Sequence, residues 1–273
     1  KKQMLKDFSK YGLERVPYFI EDAELMRKVL PYTHNPIMID GIDEFKDYID
    51  NKINDFNKNY LKDATLWLTK EQIDYLLNSG KKIPQNICVK INTVSDLENG
   101  VLDNLKTSCD AKGLKLVGVN IFDDRCINSN KCNFDGIDTH LDTYSIDEYK
   151  KIRNSLEQIS AGIRPSMTDI EKFAIVYQRL MQLIKYDDAV ISDKLGKEHV
   201  IYQNKMFCKS RNLSEGLIEQ EGFDINNNSV DRTLANRCVC AGYADILKNA
   251  LELVGIPCLM VAGDATYDWT QNK

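Results

Sequence analysis

Along the first half of the chain, apolar and β-prone runs recur at Pro36 to Asp40, Thr65 to Leu68, Ile87 to Ile91 and Leu116 to Phe122. The stretches between them carry apolar residues at helical spacing. Short apolar runs alternating with such stretches predict strands alternating with helices, the pattern of an α/β layer. The clearest unit begins at Asn86-Ile87-Cys88-Val89-Lys90-Ile91, continues through a helix starting near Ser95, and ends in the strand Lys115-Leu116-Val117-Gly118-Val119. Leu97, Val101, Leu102 and Leu105 fall on one stripe of that helix, and Gly113 stands just past its end as a C-cap. Strand, helix and strand in this order predict parallel neighbours joined by a right-handed crossover.

From Asp123 to Thr143 the composition turns to Asp, Asn, Cys and Gly with few aliphatics, which is loop chemistry. A boundary is expected there, dividing the chain into an α/β domain over 1–142 and a second domain over 143–273. Ser145-Ile146-Asp147-Glu148 has capping-box spacing, and Ile146, Tyr149, Ile152, Leu156 and Ile159 follow with helical periodicity. After Pro165, Thr168-Asp169-Ile170-Glu171 repeats the box, and Ile170, Phe173, Ala174, Tyr177, Leu180, Met181 and Ile184 continue one apolar face. This helix is expected to end near Tyr186-Asp187-Asp188. A polar stretch to Asn236 follows, with a short helix around Arg211 to Gln220. Ile246, Leu247, Ala250, Leu251 and Val254 then mark a third helix, closed by Gly255 and Pro257 and followed by an apolar strand from Leu259 to Ala262.

Cys240 lies just before the last of these periodic runs, at the expected helix start. There, unpaired backbone N–H groups and the helix macrodipole favour negative charge, the setting in which a cysteine nucleophile is made. The same N–H groups can stabilise an oxyanion.

Composition narrows what this thiol can serve. A net charge of −5 and a pI of about 5.4 provide no electrostatic footprint for nucleic acid or an anionic membrane surface. No run approaches the eighteen or so apolar residues of a membrane-spanning helix. The eight cysteines are scattered without a repeated framework, which points to reduced thiols and a cytoplasmic rather than secreted setting. The chain opens on Lys1-Lys2-Gln3-Met4 without an initiator methionine, so it is expected to begin inside a longer product whose signal peptide, if any, lies outside this sequence.

The segment Val239-Cys240-Ala241-Gly242-Tyr243-Ala244 resembles the Gly-Val-Cys-x-Gly-Tyr-Ala segment of the bacterial transglutaminase-like, papain-related superfamily. Three further stretches appear in that family's order: Ile184-Lys185-Tyr186-Asp187, Ser210-Arg211-Asn212-Leu213, and Gly255-Ile256-Pro257 leading into Val261-Ala262-Gly263. The resemblance implies an α+β, papain-like second domain. It also implies that Cys240 attacks an amide carbonyl of a protein or peptide and forms a thioester that water or an amine resolves, without a cofactor. Hydrolysis, deamidation and cross-linking all fit that chemistry. The family's base is a histidine in a His-x-Trp-Asn setting after the glycine matching Gly263, oriented by an aspartate on the next strand. This sequence reads Asp264-Ala265-Thr266-Tyr267-Asp268-Trp269 instead and ends at Lys273. By the resemblance, then, the domain is C-terminally incomplete, its histidine and aspartate are expected beyond Lys273, and these residues alone are expected to be inactive. Cys238 also stands where the family has a glycine.

Two other readings compete. One is a non-catalytic binding or scaffold module of the same fold; the other is a redox or metal-binding pair formed by Cys238 and Cys240. The remaining chemistry-bearing residues point to less. His34, His140 and His199 lie in no matching strand, and Cys126, Cys132 and His140 fit no structural zinc spacing, so a polar interdomain loop is expected. Asp123-Asp124 and Asp187-Asp188 read as strand or helix ends. No glycine-rich loop precedes a helix in the α/β half, which excludes a phosphate-cradling motif there. No metal or cofactor site is expected, and no pattern specifies an oligomeric state.

Overall fold

The computed structural model describes residues 18–19, 37–39, 41–51, 53–54, 65–121, 142–191, 216–217, 222–224, 229–231 and 236–259. These are mixed α/β, and the chain divides into two units: Lys1–Phe122 with Leu141–Ser155, and Asp123–His140 with Leu156–Lys273.

In the first unit the strands β1 (Tyr18–Phe19), β2 (Ile37–Met38), β3 (Thr65–Leu68), β4 (Asn86–Ile91), β5 (Lys115–Ile121) and β6 (Asp142–Ser145) lie side by side in chain order. The first five pair in parallel, and β6 closes the edge antiparallel to β5. Helices α1 (Ile42–Asn51), α2 (Lys70–Ser79) and α3 (Asn99–Ala111) occupy connections between parallel neighbours. The predicted apolar runs thus become β2 to β5, and the unit around α3 has the parallel flanking strands expected of it. Leu66, Trp67 and Leu68 of β3 are all buried, as are Ile87, Cys88 and Val89 of β4. Successive side chains point to opposite faces of a strand, so both faces of this part of the sheet are covered.

One glutamine joins helix start to strand end. Thr69 and Gln72 form a reciprocal capping box, with Gln72 N–H donating to Thr69 Oγ1 at 3.2 Å and Thr69 N–H to Gln72 Oε1 at 2.9 Å. The Gln72 side-chain amide then donates to the carbonyls of Ile39 at 2.9 Å and Gly41 at 3.1 Å. A buried amide with this many partners holds the turn after β2 against the first turn of α2.

Helix α3 starts later than its apolar stripe suggests, and the reason is polar. Asp96 Oδ2 accepts from the N–H groups of Asn92 and Thr93 at 3.0 and 2.9 Å, fixing Val94–Asp96 as a 3₁₀ turn. The Val94 carbonyl accepts from the Tyr149 hydroxyl at 3.2 Å and from Arg153 Nη1. The Leu97 carbonyl accepts from the same two groups at 2.5 and 2.9 Å. Leu97 is buried as expected, yet its carbonyl serves these side chains rather than a helix. At the other end Gly113 is left-handed (φ 71°), and Leu114 N–H reaches back to the Cys109 carbonyl at 2.9 Å, the C-cap that its sequence position predicts.

Tyr149 and Arg153 belong to helix α4 (Ile146–Ser160), whose Ser145 and Glu148 form the predicted capping box. With β6 paired to β5 and these side chains bonded to the 94–97 turn, residues 141–155 go with the first unit. The division therefore runs through α4, later than the loop where the composition changes. Of that loop only its end is described, and Asp142–Ser145 is a strand. Its mixed polar sequence hides this, because backbone pairing with β5 and the single buried Tyr144 hold it in place.

The second unit contains α5 (Asp169–Leu183), β7 (Lys185–Tyr186), α6 (Asp188–Ile191), the hairpin pair β8 (Gly222–Asp224) and β9 (Ser229–Asp231), β10 (Arg237–Cys238) and α7 (Cys240–Leu253). Thr168 and Glu171 cap α5 reciprocally, at 2.8 and 3.3 Å, as their spacing predicts. The buried face of α5 shares Leu180 and Ile184 with the expected stripe and otherwise differs from it. Lys172, Val176, Leu180 and Ile184 are buried, while Ile170, Phe173, Tyr177 and Met181 are 81%, 44%, 46% and 44% exposed. The contact with α7 selects the row at i, i+4 and i+8, with the Lys172 stem lying along it and its ammonium donating to the Val254 carbonyl at 3.1 Å. Arg179 Nη1 donates to the Ile159 and Ala161 carbonyls, both at 2.7 Å, and so satisfies the C-terminus of α4. Of the short helix expected around Arg211 to Gln220, Gly216–Leu217 is described and is helical. Leu259 carries no strand pairing and is 62% exposed, and the rest of that predicted strand lies outside the described residues.

Gly118 offers a direct test of the sheet edge. A Cβ there would stand 2.3 Å from the Tyr144 carbonyl oxygen and 3.3 Å from Cys88 Sγ. Because the first obstacle is backbone, Gly118→Ala is expected to destabilise the protein by about 1–3 kcal/mol, lowering the urea midpoint at unchanged slope. An unchanged midpoint would show that β6 does not press on β5 in this way.

Candidate functional site

Cys240 is the first residue of α7, as its place before the periodic run predicts, and it is exposed. Val239 is the N-cap and supplies no side-chain hydrogen bond, and the first turn carries no acidic residue. The first helical bond runs from Tyr243 N–H to the Val239 carbonyl at 3.1 Å, so the amides of Cys240, Ala241 and Gly242 precede it. A sulfur at this position faces the positive end of the helix dipole.

What fixes the thiol in space is a parallel pair only two residues long. Strand β7 pairs with β10 in the register Lys185 to Arg237 and Tyr186 to Cys238. Lys185 N–H donates to the Asn236 carbonyl at 2.9 Å, and Asp187 N–H to the Cys238 carbonyl at 3.1 Å. Asn236 stands at φ 56°, and it is the one non-glycine residue with positive φ among those described. Asn tolerates that region better than most residues, so the chain can turn there into β10. Two segments singled out in the sequence, Ile184-Lys185-Tyr186-Asp187 and Val239-Cys240, are thereby adjacent.

Two tyrosines stack beside the start of α7. The Tyr186 ring stacks on that of Tyr243, with centroids 6.2 Å apart and planes at 17°. Tyr243 is anchored by its hydroxyl, which donates to the Ile184 carbonyl at 2.7 Å. Burial pushes the Tyr243 phenol up to about 12, with negative charge at Cys238 acting in the same sense and Arg237 against it. The Tyr186 phenol is also held above its ordinary range, first by burial and next by charge on the Cys240 thiolate beside it. The backbone of Cys240 acts on that phenol in the opposite sense and its thiol in the same sense. Both tyrosines fall within the motifs that carry the family resemblance, and the resemblance gives neither a role. Their nearness to each other comes from strand register and a helical turn together, and no local pattern announces it.

The other sequence candidates separate clearly. Cys238 is fully buried, and its sulfur faces Gly216 beside Ile184 and Ile246, where a Cβ on Gly216 would stand 2.4 Å from Ile246 Cδ1. Neither Cys238 nor Cys240 is in a disulfide, and one lies inside the core and the other outside it. Burial raises the Cys88 thiol to about 12 and the Cys109 thiol to about 11, which makes both poor nucleophiles. Asp187 is buried at the end of β7, and Asp188 opens α6. His34, His140, His199, Asp123, Asp124, Cys126, Cys132 and Ser210 to Leu213 lie outside the described residues. Among the described residues no group of three His, Cys, Asp or Glu side chains could hold a metal ion, and no helix is long and apolar enough to cross a membrane.

In the first unit a cleft of about 450 Å³ lies between the ends of α2 and α3, lined by Leu76, Gly80, Lys81, Lys82, Asp110 and Lys112 among others. Its lysines stand at helix C-termini, where cations complement the dipole. Lys81 is already engaged by the Ile49 carbonyl at 2.7 Å and Asp50 at 2.9 Å. The cleft is therefore accounted for by helix termination.

Exposure and burial predict a labelling order. In the folded protein Cys240 is expected to be modified by a maleimide ahead of Cys88, Cys109 and Cys238, which should react only on unfolding. Peptide mass mapping after brief exposure reads this directly, and early modification of Cys238 would contradict its placement in the core. No family model, curated protein or solved structure matches this chain, and the reading of its site therefore stands on the residues themselves.

Proposed function

We propose that the protein is a transglutaminase-like cysteine acyl-transfer enzyme, with Cys240 as the nucleophile and a protein or peptide amide as the substrate. The observation that carries this reading is a solvent-exposed thiol at the first position of an uncapped helix. Its neighbours are supplied by the segment that the resemblance places upstream of it. In such a reaction the sulfur adds to the carbonyl carbon, the amine leaves, and water or a second amine releases the acyl group from the thioester. The α+β, papain-like form of the second domain belongs to the same proposal. No histidine lies among the described residues, so the proposal assigns the nucleophile and leaves the base to residues elsewhere in the natural chain.

The nucleophile can be tested without turnover. p-Nitrophenyl acetate is expected to acetylate Cys240 with a stoichiometric release of p-nitrophenolate, at least about tenfold faster than it acetylates an unstructured thiol peptide at the same pH. Cys240→Ala should abolish the release, and mass mapping should locate the acetyl group on the Cys240 peptide. Acetylation no faster than the peptide control would favour a non-catalytic module instead.

A further inference from the structure

The core takes only part of the apolar face of α5. Ile170, Phe173, Tyr177 and Met181 stay exposed at intervals of three and four residues, and with exposed Ala174 they form a stripe about 100° wide along the helix. Phe173 and Tyr177 stack within it, with centroids 5.8 Å apart and planes at 13°, so its centre is one continuous aromatic surface. A contiguous apolar patch of this kind marks a contact surface, unlike single exposed side chains. The spacing says which partner it fits. About a point between Ile175 and Val176 the stripe is nearly its own reverse: Ile170 and Met181 stand equally far to either side, and so do Ala174 and Tyr177. A contact across a two-fold axis requires this match, because residue i must meet j while j meets i. The small Ala174 then leaves room for the Tyr177 ring of the copy.

The polar flank agrees with the apolar stripe. Glu171, Gln178 and Gln182 line one side of it, and all three are exposed. Both capping bonds from Thr168 end on Glu171 Oε2, which leaves Oε1 out of the cap. The cap also holds this carboxyl below its ordinary range, so it is an anion at neutral pH. In an antiparallel pair each flank meets the same flank of the copy, and Glu171 falls between Gln178 and Gln182 of the other chain. A carboxylate between two carboxamide donors is complementary in charge and in hydrogen bonding. Antiparallel packing also opposes the two helix dipoles, which favours it further. We infer that the exposed face of α5 is the contact of a homodimer, in which two copies of this chain pack their α5 helices antiparallel about a two-fold axis near Ile175 and Val176. Four large side chains from each copy make a small interface, and the dimer is accordingly weak. It forms whatever the chemistry at Cys240.

Sedimentation equilibrium of the 273-residue chain tests this. A monomer–dimer equilibrium half-complete at about 10–100 µM is expected. Tyr177→Glu puts a carboxylate at the apolar centre of the contact and should leave only monomer at about 500 µM, with the urea midpoint of the fold unchanged. Ile170→Glu, at a position 81% exposed, reaches the same contact without touching the core and should weaken dimerisation at least about fivefold. It decides the matter if Tyr177→Glu lowers the urea midpoint. The flank reports the orientation. Gln178→Lys, set against Glu171 of the copy, should tighten the dimer by about two- to fivefold, and Gln178→Glu should loosen it by about as much. The same two changes at exposed Thr107, on α3 of the first unit, control for net charge and should shift the equilibrium by less than about 1.5-fold. A chain still monomeric at about 1 mM overturns the inference and leaves the acyl-transfer reading untouched. A dimer that survives Ile170→Glu, or Gln178 variants that do not move the equilibrium in opposite directions, overturns it as well.

Discussion

Everything at the thiol depends on two backbone hydrogen bonds, from Lys185 N–H to Asn236 and from Asp187 N–H to Cys238. They join chain segments far apart in sequence through a parallel pair of two residues each. So short a pair has little strength of its own. It is held from both sides by packing: Ile184 and Cys238 are buried, and Ile246 of α7 closes over Gly216. The core therefore sets the register, and the register sets what stands beside Cys240. A slip of one residue would turn Tyr186 to the opposite face and away from Tyr243.

Much of this was legible in the order of residues, and the exceptions share a cause. Strands β3, β4 and β5, the capping boxes at Ser145-Glu148 and Thr168-Glu171, and the glycine stops at Gly113 and Gly255 all depend on neighbours within a few positions. Cys240 at the start of α7 belongs with them. Strand β6, the late start of α3 and the pairing of β7 with β10 arise from partners at long range, which periodicity does not register. The stripe on α5 is the instructive case. Ile170, Phe173, Tyr177 and Met181 are apolar, yet contact with α7 buries the neighbouring row that includes Lys172. Hydrophobic spacing found the helix and, in Leu180 and Ile184, part of its buried face, but not the row that begins at Lys172.

In the first unit, five parallel strands in strict chain order, with burial on successive residues of β3 and β4, describe a sheet that is covered rather than one with a wet face. Its antiparallel last strand ends that progression. Gly118 marks the price of fitting β6 there, since the space its missing side chain would need is filled by the Tyr144 backbone.

The bond from Lys172 to the Val254 carbonyl has a consequence at the far end of the same helix. A cation at the C-terminus of α7 neutralises the negative pole of its dipole, while the N-terminus has neither an acidic residue in its first turn nor a capping side chain from Val239. Among the described residues, the helix's own first turn and N-cap side chain thus offer its N-terminal pole no such compensation. Its remaining positive pole is left for whatever negative charge forms at the thiol. The lysine that the apolar stripe gave no reason to bury leaves α7 electrically lopsided toward Cys240.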